Sequence, residues 1–317
     1  MGFGGKCMRK IITICLLALL TAGTVFVGCK QEKKSKTFGF TCKQISNPFF
    51  AILEETIREE VEKNGDTLIM VDPDMDSEKQ ITLIEDLIAR KIDALFLNPV
   101  DLEAIRPALV SLNKANIPVI NFDSEVRDLD MVATFVGSDN RNAGYICGVD
   151  MVKRFPNGGP IAILDSPDRI STRNRINGFK EAIEGHGFTI VFLRAAHGNA
   201  SLARQYTEEM LKSNPEVIAL MGSNDVVALA AYAVCQSVGR DDILIYGVDG
   251  SPAAKAEIAK RGQFAGSGAQ SPISIAKESV AVAYKILNKQ AYEKRIPVTT
   301  FMINQENIDN YDINGWQ

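Results

Sequence analysis

Seven polar side chains in this sequence sit where a chain of alternating strands and helices would gather them: Lys43, Asp123, Asp165, Arg173, Asn224, Asp249 and Gln270. Each ends or follows a predicted strand, or opens a predicted helix. Any one alone reads as a turn or a cap. Together they offer fixed charged donors and acceptors, which make strong hydrogen bonds to hydroxyls, and arginine can donate in pairs. An aromatic pair, Phe49-Phe50, follows Asn47-Pro48 at the first such strand end. Aromatic rings beside Lys43 and Asn47 suit a ligand with C–H faces and a rim of hydroxyls. The plainer use of one ring is a hydrophobic staple over the helix start.

Other chemistries find no support. The sequence has no phosphate-loop or zinc-protease motif and no nucleophile elbow. Gly266-Ser267-Gly268 lacks the rest of a dinucleotide fingerprint. His186 lies in a Gly-His-Gly turn, and His197 follows a strand where it could line a cleft. Asp123 and Asp249 could form a two-carboxylate glycosidase pair, but nothing independent marks either as an acid. No catalytic residue, metal site or cofactor is expected.

The elements that must position these residues follow from hydrophobic period. Strands are expected at 36–43, 67–72, 93–98, 118–123, 132–137, 161–165, 188–194, 217–221, 243–249, 264–269 and 299–304. Helices are expected from Pro48 to about 63 and at 77–90, 101–115, 140–154, 171–184, 201–213, 225–238, 252–260 and 272–288. Asn47 caps the first helix with Pro48 at its first position; Asp101 should cap the third, with Pro107 an irregularity. Continuous apolar strands between amphipathic helices indicate buried parallel sheets with helices on both faces. The strands are too many for one sheet, so an α/β fold of two doubly wound lobes is expected. In such sheets ligands bind at the carboxyl edge of the strands.

The chain has 317 residues, 46% of them hydrophobic, enough for two cores. Residues 1–28 read as an export signal: Arg9-Lys10, an apolar run from Ile11, then Val27-Gly28-Cys29. The run is also long enough to span a membrane. The start is open between Met1 and Met8. Residues 29–36 are polar and read as a flexible tether. Losing Lys6, Arg9 and Lys10 makes the mature chain three charges more negative than the full sequence at −4, which argues against a nucleic-acid surface. Cys42, Cys147 and Cys235 lack metal-ligand spacing and are expected as buried free thiols, with one disulfide among them left open.

Several stretches together carry a family resemblance: Ser46-Asn47-Pro48-Phe49-Phe50, Ala115-Asn116-Ile117-Pro118-Val119-Ile120, Val136-Gly137-Ser138-Asp139-Asn140, Arg173-Asn174-Arg175-Ile176-Asn177-Gly178-Phe179, Asn224-Asp225 and Gly247-Val248-Asp249-Gly250-Ser251-Pro252. From about Thr37 to Asn304 the chain resembles periplasmic sugar-binding proteins of the ribose-binding type, the receptors of ATP-driven importers. The resemblance implies a type I periplasmic binding protein: two lobes joined by three crossings, near Ser138, Gln270 and Phe301, closing over a sugar. Residues 37–138 plus 271–300 would form one lobe, and 139–270 plus 301–317 the other. It implies that Asn47, Asp123, Arg173, Asn224, Asp249 and Gln270 hydrogen-bond the sugar while Phe50 and Phe49 stack on it. Lys43 and Ser124 depart from the ribose pattern, and Gly198 or His197 stands where an aromatic usually covers the sugar's other face. A hexose, ketose or polyol is then at least as expected as ribose. The Val27-Gly28-Cys29 stretch is similar to a lipobox, implying a lipid on Cys29 as the membrane anchor. The implied partner is an ABC permease and the implied state a monomer. A sensor for a furanose-like signal, feeding a chemoreceptor or kinase, would share fold and export.

Overall fold

The computed structural model describes residues 35–317. The expected signal segment 1–28, Cys29 and the tether as far as Lys34 lie outside the described residues. The tether was expected to run free through Lys36. Instead Ser35 Oγ donates to Gly65 O (3.0 Å) and Lys36 N to Asp66 Oδ1 (2.8 Å). A chain about to enter a strand already has a partner for its backbone.

The first sheet has strand order β11-β5-β4-β3-β1-β2. Its strands are β1 (Thr37–Thr41), β2 (Thr67–Val71), β3 (Ala94–Leu97), β4 (Val119–Phe122), β5 (Thr134–Ser138) and β11 (Arg295–Val298), all paired in parallel. The second has order β12-β10-β9-β8-β6-β7. It comprises β6 (Gly159–Asp165), β7 (Phe188–Ala195), β8 (Ala219–Gly222), β9 (Leu244–Asp249), β10 (Phe264–Ala269) and the antiparallel β12 (Phe301–Asn304). Period-two alternation splits each sheet's side chains between two cores. Phe38, Phe40, Phe96 and Phe122 fill one face of the first sheet, and Leu95, Leu97 and Val119 the other. Ala162, Leu164, Leu220 and Ile245 fill one face of the second, and Ile163, Met221, Tyr246 and Val248 the other. Two doubly wound lobes are the result.

The chain passes between the sheets after Ser138, after Ala269, and between Val298 and Phe301. The helices are α1 (Pro48–Lys63), α2 (Ser77–Ala89), α3 (Arg106–Lys114), α4 (Asn140–Arg154), α5 (Ile170–Ile183), α6 (Ala200–Ser213), α7 (Asp225–Ser237), α8 (Pro252–Ala259) and α9 (Pro272–Leu287). Asn47 Oδ1 accepts from Phe49 N (3.0 Å) to start α1, and Leu53, Ile57 and Val61 are fully buried along it.

Two elements differ from expectation. The third helix begins at Arg106, not Asp101. Asp101 Oδ1 instead caps a separate turn, accepting from Glu103 N and Ala104 N (both 2.8 Å). Pro107 has no N–H to return to the carbonyl four residues back, so it sits in the helix's first turn rather than its interior. The strand β11 was not anticipated, because Pro297 interrupts its short apolar run. It lies at the sheet edge, where proline is tolerated. Cys42, Cys147 and Cys235 are free and buried, and burial pushes all three thiols up.

Helices α4 and α5 touch backbone to backbone. A Cβ on Gly144 would overlap the carbonyl oxygen of Arg175, and one on Gly178 that of Arg141. This contact fixes the height of Arg175 against the second sheet. Gly144→Ala is expected to destabilise the protein by about 1–3 kcal/mol, the usual range for overpacking. Urea denaturation measures this, and an unchanged midpoint would show that the helices have room to part.

Candidate functional site

The carboxyl edges of the two sheets face each other across a cleft of about 430 Å³. From the first lobe, Lys43, Asn47, Phe49, Phe50, Asp123 and Ser124 line it. Lys43 follows β1, and its ammonium donates to Ser124 Oγ (2.8 Å). Ser124 Oγ in turn donates to Asp123 Oδ2 (3.1 Å), which also accepts from Asn98 Nδ2 (3.0 Å). Asp123 has φ of 59°, a left-handed conformation that aspartate tolerates better than most residues. Burial holds the Lys43 ammonium down to about 8, reinforced by Arg169 and opposed by Asp123 and Asp168. With one N–H engaged by Ser124, two remain for a guest oxygen.

Phe49 and Phe50 are nearly buried, and their rings meet edge to face at 5.5 Å. The rings pack over the start of α1 in the first-lobe core and also line the cleft.

The second lobe contributes a charged cluster. Asp249 ends β9, with φ of 141°, and Oδ1 accepts from Arg175 Nη1 (3.2 Å) and Gln270 Nε2 (2.7 Å). Arg175 is 5% exposed; it also donates from Nε to Asn140 Oδ1 (2.7 Å) and from Nη1 to Ser223 O (3.1 Å). Although 19% of the Asp249 side chain reaches the cleft, burial pushes its carboxyl up, to about 7; Arg175 pulls it down and Asp225 pushes it further up. Asp225 is buried behind it, accepting from Ser251 N (2.8 Å) and Ser267 Oγ (2.7 Å), and burial raises it too. Gln270 Oε1 is buried with no protein partner. Asn224 caps α7 through Oδ1 to Val227 N (3.0 Å) and lines the cleft as well.

Arg173 is not part of this site. It is exposed, and Nη1 donates to Pro167 O (3.0 Å) on the outer side of its own helix start. Two residues along a helix is about 200° of rotation, so Arg175 faces the cleft where Arg173 faces solvent. Sequence reasoning takes Arg173 from the Arg173-Asn174-Arg175 stretch; the phase of α5 puts Arg175 in the cleft instead. Asp165 accepts from Ser166 N (2.6 Å) and does not line the cleft. Nor does His197, whose Nδ1 pairs with Asp168 Oδ1 (3.0 Å) at the surface. Asp225 was within reach of sequence reasoning, directly after Asn224. Trp316, which also lines the cleft, carried no sequence signal beyond being the sole tryptophan. Among the described residues no cluster of His, Cys, Asp or Glu could hold a metal ion.

The profile of the periplasmic binding protein domain family matches residues 38–291. The ribose import binding protein of Bacillus subtilis (strain 168) is 33% identical over 305 residues, covering 91% of this chain and 97% of its own. A solute-binding protein of an ABC transporter from Actinobacillus succinogenes, solved with bound D-allose, is 25% identical, with a TM-score of 0.82 over 87% of this chain and 100% of that one. Another from Bacillus halodurans, solved with bound myo-inositol, is 27% identical, with a TM-score of 0.80 over 87% and 97%.

Proposed function

The chain belongs to the periplasmic binding protein family, as a sugar-binding protein of the ribose type, and from that premise we propose that its cargo is a monosaccharide or polyol other than ribose. The family consists of binding proteins rather than enzymes, working outside the cytoplasm with ABC importers. One observation carries the proposal. The cleft sets an apolar ring pair, Phe49 and Phe50, against the Arg175–Asp249–Gln270 cluster, with Lys43 and Ser124 also lining it. Rings meet C–H faces, and charged donors and acceptors meet hydroxyls. The lobes close on the cargo by bending at the three chain crossings.

Lys43 and Ser124 set the choice of cargo. An ammonium reaching in from β1 fills space and adds donors, and Ser124 holds it through one hydrogen bond. D-allose and myo-inositol, each bound by a relative, have a six-membered ring with more hydroxyls than ribose. Thermal shift with D-ribose, D-allose, D-tagatose and myo-inositol tests the reading. A ligand at a hundredfold excess over its Kd stabilises the folded state by about 2.7 kcal/mol. A hexose, ketose or polyol is expected to give the largest shift, and tightest binding to ribose, unchanged in Lys43→Ser, refutes the assignment. Loss of uptake of that compound on deleting the protein separates import from delivery to a chemoreceptor or kinase.

Anchoring is by lipid on Cys29, supported by the order basic, apolar, Gly28-Cys29 in the sequence. Cys29→Ser is expected to leave the protein uncleaved or to release it from the membrane fraction. Recovery of lipidated mature protein from the mutant sinks the assignment.

A further inference from the structure

After β12 the chain runs back to the cleft and is tied there. Lys255, on α8, is 1% exposed, and its ammonium donates to Asp312 O (2.6 Å), Gly315 O (2.7 Å) and Gln317 Oε1 (3.1 Å). A buried ammonium is costly unless its donors are matched, and here all three are spent on residues 312–317. Gln317 Nε2 donates to Gln270 O (2.6 Å) and Asp249 O (3.3 Å), the backbones of two cleft residues, and Ser271 Oγ donates to Gln317 O (2.5 Å). Trp316 lies between these ties. Its ring reaches across to the first lobe, edge to face on Phe49 at 5.6 Å, and lines the cleft.

The clasp belongs to the second lobe and the ring it presents packs on the first. At the place where an aromatic was expected to cover the cargo, the sequence has His197 and Gly198, and the cleft lining includes neither. We propose that Trp316 is a cargo-contacting, specificity-determining residue. Resting on the reading of the cleft as a site for a polyhydroxylated ring, it extends the Phe49–Phe50 wall from the second lobe. Its partner on the ligand is an apolar C–H face. Lys255 and Gln317 are positioning residues that hold the ring in place.

Trp316 is the sole tryptophan, so its emission reports on this position alone. The probe is whichever of D-ribose, D-allose, D-tagatose and myo-inositol binds the wild-type protein most tightly by calorimetry. On titration, Trp316 emission is expected to shift, with acrylamide quenching reduced at saturation. Trp316→Ala is expected to raise Kd at least about tenfold, and Trp316→Phe to recover most of the loss. Lys255→Met, which keeps the ring and cuts the clasp, is expected to weaken binding and to increase acrylamide quenching of Trp316 in the free protein. Calorimetric binding with silent Trp316 emission overturns the inference and leaves the sugar-binding reading intact. So does an unchanged Kd and an unchanged rank order of the four compounds in Trp316→Ala. Absence of binding to all four by the wild-type protein overturns both readings. Should Trp316→Ala fold poorly, the wild-type emission and the Trp316→Phe affinity decide the matter.

Discussion

Replacing Arg175 with alanine is expected to abolish measurable cargo binding, while the same change at Arg173 leaves affinity within about twofold, as for most surface substitutions. Arg175 holds Asn140 Oδ1, Ser223 O and Asp249 Oδ1 at once. Its removal leaves Asp249 beside Asp225 without the cation that stabilises its charge. Breaking a buried ion pair by deleting one partner costs about 3–5 kcal/mol, so the free protein should also melt earlier. Stability loss alone could mimic a binding defect, and Arg175→Lys separates the two. It retains the charge and loses the planar fork that reaches three oxygens. It is therefore expected to recover part of the melting temperature and little of the affinity. Calorimetry and thermal denaturation on the three variants check this. Full-strength binding in Arg175→Ala, or its loss in Arg173→Ala, overturns the placement of the site.

The contrast between these two arginines shows where sequence reading stops. Strand ends were legible because a buried parallel strand is a short apolar run. The polar residue that ends the run marks the carboxyl edge, as at Asp123 and Asp249. Helix starts were legible where capping chemistry is local, as at Asn47-Pro48 and Asn224. The phase of α5 is not local. It is set by where the helix begins and by the Gly144 and Gly178 contacts that seat it on α4. The same holds for Asp101, a good cap in isolation that serves a turn because Pro107 belongs in the next helix's first turn. Trp316 was hidden for a different reason. It lies far along the chain from every other cleft residue, and what fixes it is Lys255, a lysine whose helix position alone reads as solvated. No pattern of spacing announces that a lysine will be buried under three oxygens of a returning segment. The edge strand β11 was missed because four residues containing a proline carry almost no periodicity.

Cargo affinity is expected to be highest between about pH 7 and pH 8, falling on both sides, because two titratable groups that line the cleft from opposite lobes, Asp249 and Lys43, are each held away from their ordinary ionisation. Burial raises the Asp249 carboxyl to about 7, among Arg175, Asp225 and Asp123. Its contribution to the stability of the free protein is therefore fully present below the ordinary carboxylate range and is lost as pH rises through about 7. Burial lowers the Lys43 ammonium to about 8, among Arg169, Asp123, Asp168 and Arg175. Its contribution is present above the ordinary lysine value and is lost as pH falls through about 8. Near neutrality both groups thus burden the free protein. A sugar hydroxyl donating to Asp249 and a sugar oxygen accepting from Lys43 each favour the charged form, so binding relieves both. Below about pH 7 binding must first remove a proton from Asp249, and affinity should fall by up to tenfold per pH unit. Above about pH 8 it must restore one to Lys43. Calorimetry from about pH 5.5 to 9.5, in buffers of different ionisation enthalpy, reads the affinity and the protons exchanged. Asp249→Asn should flatten the acid limb and weaken binding overall, since an amide oxygen accepts less strongly than a carboxylate. Lys43→Met should flatten the basic limb alone. A wild-type profile that is level across this range, with no proton exchange, removes Asp249 and Lys43 from contact with the cargo.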